Sequence, residues 1–455
     1  MDHAQLDPAS ILRSLSDGLV GRERFWVDRR CRDDQPTDRT HNLMRRNLLF
    51  VLIDCLRADH CYGERGLAKT PVFNRLRQQG TWFNQAISVS ANTTPSVGSI
   101  MTGLYPFAHG LRQSGAGYRL TPPCSTLAEI LRRHGYQTCA MVSEKSLDPE
   151  GGLNRGFDIY TLRRGGDHLY SGWRESLYAE LDRLARGRDK WFLFLHLREL
   201  HVPRYLSKRF HRPEFGHTRY ERALSSLDHE VGKILDRVDP DHTLIVILGD
   251  HGERFERSFV EWAIRKVKYH LLGWPGGRGW YKLTHGYQVY DYLVRVPLLF
   301  IGRGVFPADT RIDTQVRQID IMPTLLEAIG ISLNQEVKIH GRSLLPVIRG
   351  EQVEELPALT EASGKAIPDP RDWLTGVRMP PWKYVFAPQN PRIPPRLYHL
   401  GEDPQESKNL VDQYPAIVES LRWTFAEISS RDDGHPPLGS PHHPTPRPRG
   451  LPPGS

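Results

Sequence analysis

The chain has 455 residues, enough for one large α/β domain plus an appendage. Its apolar (39%) and charged (25%) fractions are those of a soluble globular protein, and no run approaches the roughly 18 apolar residues of a membrane span. A net charge of +8 favours anionic substrates or surfaces. A solvated basic surface accounts for it, and no nucleic-acid partner is expected.

Five cysteines, an odd number with no C-x-x-C pair, fit free thiols rather than a disulfide framework. Met1 to Arg30 lacks a basic stretch followed by an apolar run, so no signal peptide is read. Both features point to a cytoplasmic location.

Residues 1–44 read as a polar extension with a short helix near Ile11–Leu19. Asn47–Asp54 is an apolar run ending in an acid, as expected of a parallel strand buried on both faces. Thr70-Pro71 opens a helix that Gly80 closes, with Thr70 as its cap. A strand over Thr81–Val89 and a helix from Thr94-Pro95 follow. The next helix starts at Ser125/Thr126, with Glu129 completing a capping box and Gly135 ending it. Strands at Gln137–Val142, Trp191–Leu197, Thr243–Gly249 and Val296–Ile301 alternate with helices at Arg219–Val238 and Ile319–Gly330. The alternation implies an α/β fold with a mostly parallel central sheet and helices on both faces. The domain boundaries read as 45–345 for the main domain, 346–430 for a small C-terminal subdomain and 431–455 for a disordered tail.

Ligands of an open α/β sheet gather at the carboxyl ends of its strands. Asp54 and Asp250 stand there, and His251 follows directly. A lone acid after a strand is usually a turn or cap residue, but two such ends, one continuing as Asp-His-Gly-Glu, favour a shared site. Thr93 precedes a helix whose first turn holds Pro95, at the positive end of the helix dipole. Thr94 is read as the helix cap and Thr93 as the reacting hydroxyl. Coordination to a divalent cation lowers a hydroxyl's pKa and screens an incoming anion.

These residues carry a resemblance. Asp54-Cys-Leu-Arg-Ala-Asp59 with Tyr62-Gly63 resembles the opening of the sulfatase family. So do Thr93-Thr-Pro-Ser96, Leu195-His-Leu-Arg-Glu-Leu-His-Val-Pro203, Gly249-Asp-His-Gly-Glu253, His285-Gly286, Asp320-Ile-Met-Pro-Thr324 and Gly341-Arg-Ser-Leu344. The blocks keep the family order from about Asn47 to Leu410 and imply an alkaline-phosphatase-like fold.

Two departures matter. Sulfatases carry a Cys or Ser that becomes formylglycine, followed by a Pro-Ser-Arg signature. Here Thr93 stands in that place and Val97 replaces the arginine. Cys55 also fills the second place of the usual Asp pair. The remaining set, Asp54, Thr93, Asp250 and His251, resembles the single-metal site of phosphoethanolamine transferases and lipoteichoic acid synthases. One divalent ion is implied, with Mn²⁺, Zn²⁺, Mg²⁺ and Ca²⁺ all open.

The resemblance places His201 and His285 against ester oxygens or the leaving group, so both are read as catalytic. Arg57 is a candidate phosphate binder, with an ion pair to Asp59 as the equal alternative. His196 is read as core. The segment 254–284 interleaves Phe259, Trp262 and Trp274 with Arg265, Lys266 and Lys268. It reads as a surface helix, a substrate-setting lid or a peripheral contact with anionic membrane. The expected function is metal-dependent cleavage or transfer of a phosphate mono- or diester on a small anionic substrate, with Thr93 as nucleophile. Sulfate-ester hydrolysis without formylglycine and non-catalytic anion binding are the alternatives.

Overall fold

The computed structural model describes residues 46–113, 117–143, 145–163, 165–254, 285–333, 337–364, 367 and 369–430. The N-terminal extension, the tail and all but the first residue of the 254–284 insertion lie outside the described residues.

The labelled elements, in chain order, are β1 (Asn47–Ile53), α1 (Pro71–Gln79), β2 (Thr81–Ile87), α2 (Thr93–Thr102), α3 (Leu127–Arg133), β3 (Gln137–Val142), β4 (Ile159–Leu162), α4 (Trp173–Arg186) and β5 (Trp191–Leu197). There follow α5 (Arg219–Leu235), β6 (Thr243–Gly249), β7 (Arg295–Ile301), β8 (Thr310–Ile312), β9 (Val316–Arg317) and α6 (Ile321–Ala328). The last are β10 (Ala358–Ala362), β11 (Leu374–Met379), β12 (Trp382–Phe386), β13 (Arg396–His399) and α7 (Pro415–Ser430).

The main sheet runs β4-β3-β5-β1-β6-β7-β2-β8, with β9 also on β2. Strands β4, β3, β5, β1 and β6 are mutually parallel, and β7 runs antiparallel between β6 and β2. Alternate residues of β1 feed two separate cores. Leu48, Phe50 and Leu52 pack on the face that holds α2 and α6, and Leu49, Val51 and Ile53 on the face that holds α5. This explains why β1 reads as an unbroken apolar run. A second, antiparallel sheet, β10 to β13, packs beside the first, and the Ser90–Glu361 bridge joins the two.

Local readings hold with two exceptions. Thr126 and Glu129 form the expected capping box. Thr70, however, makes no side-chain cap. The free N–H groups of Val72 and Phe73 are taken by the Asp228 carboxylate of α5 at 3.1 and 2.8 Å. Thr94 does not cap α2 either. Asn92 is the N-cap residue, and the Thr94 hydroxyl donates to the Ser146 carbonyl at 3.0 Å. A tertiary carboxylate does the capping at the first helix, and the second helix starts one residue earlier than read, which puts Thr94 inside it.

Candidate active site

The register of the sheet assembles the site. Ile53 pairs with Gly249 on one side and with Leu197 on the other, so Asp54, Asp250 and Arg198 emerge at three adjacent carboxyl ends. Asp54, Asp250 and His251 are fully buried, and Thr93 is 8% exposed. The Thr93 hydroxyl lies 3.2 Å from His251 Nε2, beside the Asp250 carboxylate. His251 Nε2 is 3.7 Å from Asp54 Oδ1 and 3.4 Å from Asp250 Oδ2. Thus Asp54, Thr93, Asp250 and His251 share one chamber.

The chamber is held from behind. Asp250 Oδ1 accepts from the backbone N–H of Cys55 at 3.1 Å and of His251 at 2.7 Å. Gln318 Nε2 donates to the carbonyls of Gly249 and Asp250 at 3.0 and 2.7 Å. Cys55 takes a left-handed backbone, φ 64°, which turns the chain sharply after β1. Tyr220 of α5 clamps that turn, with its hydroxyl donating to the Cys55 carbonyl and accepting from Arg57 N–H. His251 Nδ1 sits 2.7 Å from the Gly252 carbonyl, which can only accept, so Nδ1 carries the proton. Nε2 therefore presents a lone pair to the carboxylates, the tautomer a metal ligand needs. Burial pushes this imidazole down to about 3, with His285 adding to the effect.

The donor set fits a cation. Asp54 Oδ2 and Asp250 Oδ2 are both buried and accept no hydrogen bond. Burial pushes the Asp250 carboxyl well above the usual carboxylate range, and the neighbouring Asp54 charge pushes it further. Two buried carboxylates with orphaned oxygens, an imidazole lone pair and a hydroxyl make a mixed oxygen and nitrogen ligand set for a divalent ion.

Two histidines line the open side. The His285 ring lies 4.4 Å from His251 and 5.1 Å from His201, centroid to centroid. His285 Nδ1 is 3.3 Å from the buried Glu253 Oε2. Burial opposes its protonation, but Glu253 outweighs that and raises its pKa. His201 Nδ1 stands 2.9 Å from Arg198 Nη2 and 2.7 Å from the Val202 carbonyl.

Arg57 is placed differently. It makes a two-pronged pair with Asp59, Nε to Oδ1 at 3.0 Å and Nη2 to Oδ2 at 2.6 Å, and Nη1 donates to the Glu253 carbonyl. It stands in the ion pair that was the alternative reading, bracing the wall of the chamber. Arg198, with Nε 4.0 Å from Asp54 Oδ2, is the guanidinium at the cluster. His196 is indeed buried, but a core role does not describe it. One of its ring nitrogens lies within 4.8 Å of carboxylate oxygens of both Asp54 and Asp250, and Nε2 has no hydrogen-bond partner. The available signal was position. His196 is the penultimate residue of a central strand, next to the acid-bearing ends.

The comparisons agree with this architecture. A sulfatase family model matches residues 46–331, more than half of the chain. The chain belongs to the sulfatase family. A model of the N-sulphoglucosamine sulphohydrolase C-terminal region matches residues 276–430, which include the antiparallel sheet. Among curated sulfatases, the N-acetylgalactosamine-6-O-sulfatase of Bacteroides thetaiotaomicron is 21% identical, over 88% of this chain and 96% of its own. Human arylsulfatase H is 32% identical, over 67% of this chain and 73% of its own. Among solved structures, the phosphonate monoester hydrolase of Agrobacterium radiobacter superposes with a TM-score of 0.67 at 19% identity, covering 85% of this chain and 96% of that one. This likeness shows a shared fold. Sulfatase-family members are hydrolases, and no helix of the described residues is long and apolar enough to cross a membrane.

Proposed function

We propose that this sulfatase-family hydrolase cleaves a phosphate mono- or diester on a small anionic substrate, with Thr93 as the nucleophile. The observation that carries the reading is the Thr93 hydroxyl at the first turn of α2, 3.2 Å from His251 Nε2 and against the Asp250 carboxylate. Asp54, Thr93, Asp250 and His251 would hold one divalent cation, which supplies charge neutralisation and acidifies the hydroxyl when bound. Positioning and electrostatics are the main demands of phosphoryl transfer, and a buried, braced chamber meets both.

Thr93 Oγ, as the alkoxide, attacks phosphorus as the bond to the ester oxygen breaks, and the departing alkoxide takes a proton from His201 or His285. Water then attacks the phosphothreonine and the bond to Thr93 Oγ breaks, freeing Thr93 as the alkoxide again. One water proton restores the imidazolium, and the other leaves with phosphate or, from a diester, with the phosphate monoester. Threonine cannot be oxidised to formylglycine, which disfavours the usual sulfatase route. The sulfatase identity of the curated relatives supports sulfate-ester hydrolysis through the same hydroxyl as a second reading. No nucleic acid enters either reading. A cytoplasmic location is consistent with Cys55, Cys61, Cys124 and Cys139, all buried free thiols.

A panel of aryl phosphate mono- and diesters, phosphonates and sulfates, run with each of Mn²⁺, Zn²⁺, Mg²⁺ and Ca²⁺, tests the assignment. Phosphate esters are expected to be turned over fastest. Aryl sulfates outpacing every phosphate ester would transfer the assignment to the second reading.

A further inference from the structure

Beside the first ligand set stands a second group of donors that the reading above does not need as metal ligands. Cys55 Sγ and one ring nitrogen each of His201 and His285 all lie within 4.8 Å of one another, and Cys55 Sγ is also within that distance of Asp54 and His251 of the first set. The left-handed turn at Cys55 brings its thiol 3.0 Å from Asp54 Oδ1, 3.6 Å from Glu253 Oε2 and 3.8 Å from His285 Nδ1. One thiol proton can serve only one of these three neighbours. Glu253 itself is fully buried and reaches His285 as well.

We propose that Cys55, His201 and His285, with Glu253 as fourth donor, form a second cation site that takes Zn²⁺ or another thiophilic divalent ion. Sulfur, imidazole and carboxylate donors on a tetrahedral zinc lie roughly 3–4 Å apart, given bonds of about 2.0–2.3 Å. The spacings of the chamber need only a small contraction to reach this. Asp54 Oδ1 stands between the two groups, close to both Cys55 Sγ and His251 Nε2, and is placed to bridge two ions. Paired metals on phosphate-ester enzymes sit about 3.5–4 Å apart, the scale of this chamber.

Electrostatics supports double occupancy. One divalent ion together with Arg198 balances the buried carboxylates of Asp54, Asp250 and Glu253. A second ion, with Cys55 as thiolate, adds one net positive charge to the chamber, which suits an anionic ester. A soft sulfur donor also selects against Ca²⁺ and Mg²⁺ at this position. In the doubly loaded protein, His201 and His285 would be ligands, and the second ion would take their place in offsetting charge on the leaving oxygen. The proposal thus goes beyond the single-cation reading and can fail without it.

Cobalt titration of the metal-free full-length protein separates the two. Two equivalents should bind, and one should bring a thiolate-to-cobalt charge-transfer band. Cys55→Ser should remove the band and weaken that equivalent at least about tenfold. Asp250→Asn should lose the other equivalent and keep the band. Binding of a single equivalent without the band overturns the second site and leaves the first intact. A band that disappears in Asp250→Asn assigns the thiol to the first site and also overturns the proposal. X-ray absorption of the wild-type protein loaded with two zinc ions needs no variant. A sulfur scatterer at about 2.3 Å supports the site, and a shell of only nitrogen and oxygen refutes it.

Discussion

Two buried charge clusters in this molecule have opposite character. Where the two sheets meet, Asp291 is paired with Arg378 at 3.0 Å and with Lys383 at 2.8 Å, and the fully buried Lys383 also reaches Glu406 at 2.9 Å. Burial opposes ionisation of Asp291, but these cations outweigh it and hold its carboxyl low. At the carboxyl ends of β1 and β6, Asp54 and Asp250 are as deeply buried, yet one oxygen of each is orphaned and the Asp250 carboxyl is driven up. The first cluster finds its cations, Arg378 and Lys383, within the chain and ties two sheets together, although burial still raises the Glu406 carboxyl. The second has donors for a cation that the proposed function would supply, so that burial of unmatched charge there would serve binding rather than stability.

The sharpest way to break this contrast is to neutralise one acid in each cluster. Asp250→Asn should lose stoichiometric metal on elemental analysis and lower turnover by roughly a thousandfold or more, the scale of losing a main electrostatic stabiliser. Compared with the metal-free wild type, its thermal stability should hold or rise, because a buried and poorly matched carboxyl is gone. Lys383→Met should do the reverse. It strands Asp291 and Glu406, costs about 3–5 kcal/mol in denaturant unfolding, and leaves the metal content of the folded fraction unchanged. If both variants lose metal, or both lose only stability, the division of labour is wrong.

A finer test concerns His196. Its unpartnered Nε2 beside both acids places it in the cation's immediate surroundings, with Nδ1 fixed 3.2 Å from Ser143 Oγ. His196→Leu should weaken metal affinity about tenfold in a chelator competition, as is typical when a residue supporting a metal site is lost. An unchanged affinity would return His196 to the core.

The contrast also bears on how much was legible in the sequence. β1 and β6 could be read because burial on both faces leaves an unbroken apolar run, and the acids following them mark strand ends. The placing of Thr93 depended on a helix start that Pro95 signals locally. Arg57 is singled out in the sequence and Arg198 is not, although each follows a strand end within four residues of an acid or histidine. Only the turn at Cys55 and its clamp by Tyr220, 165 residues away, sends Arg57 to Asp59. The cap reading for Thr70 failed for a similar reason: Asp228, from a distant helix, takes the N–H groups of Val72 and Phe73. The reading for Thr94 failed because the helix starts one residue earlier, with Asn92 as its N-cap.

The smallest effect comes from a buried neutral imidazole that belongs to neither cluster. His109 packs against Gly98 of α2. Its Nδ1 accepts from Leu111 N–H at 3.1 Å, and its Nε2–H donates to Ser99 Oγ at 3.0 Å. Burial pushes it down to about 3 from an ordinary 6.5. Its stabilising contribution is complete above pH 6.5 and is lost as pH falls from there toward 3, because the unfolded chain binds the proton first. By pH 5.5 the loss should be about 1 kcal/mol. Unfolding curves of wild type and His109→Gln between pH 8 and 5.5 should differ in slope by up to one proton, and parallel curves would contradict the assignment.

The nucleophile is the claim on which the rest stands, and it can be observed directly. An aryl phosphate monoester is mixed with the metal-loaded protein, quenched in acid within the first turnover, and the digest is read by mass spectrometry. The account predicts one phosphoryl group on the peptide bearing Thr93, present in wild type and absent in Thr93→Ala, which should also lose turnover. A phosphoryl group on another residue, or full turnover by Thr93→Ala, would contradict it.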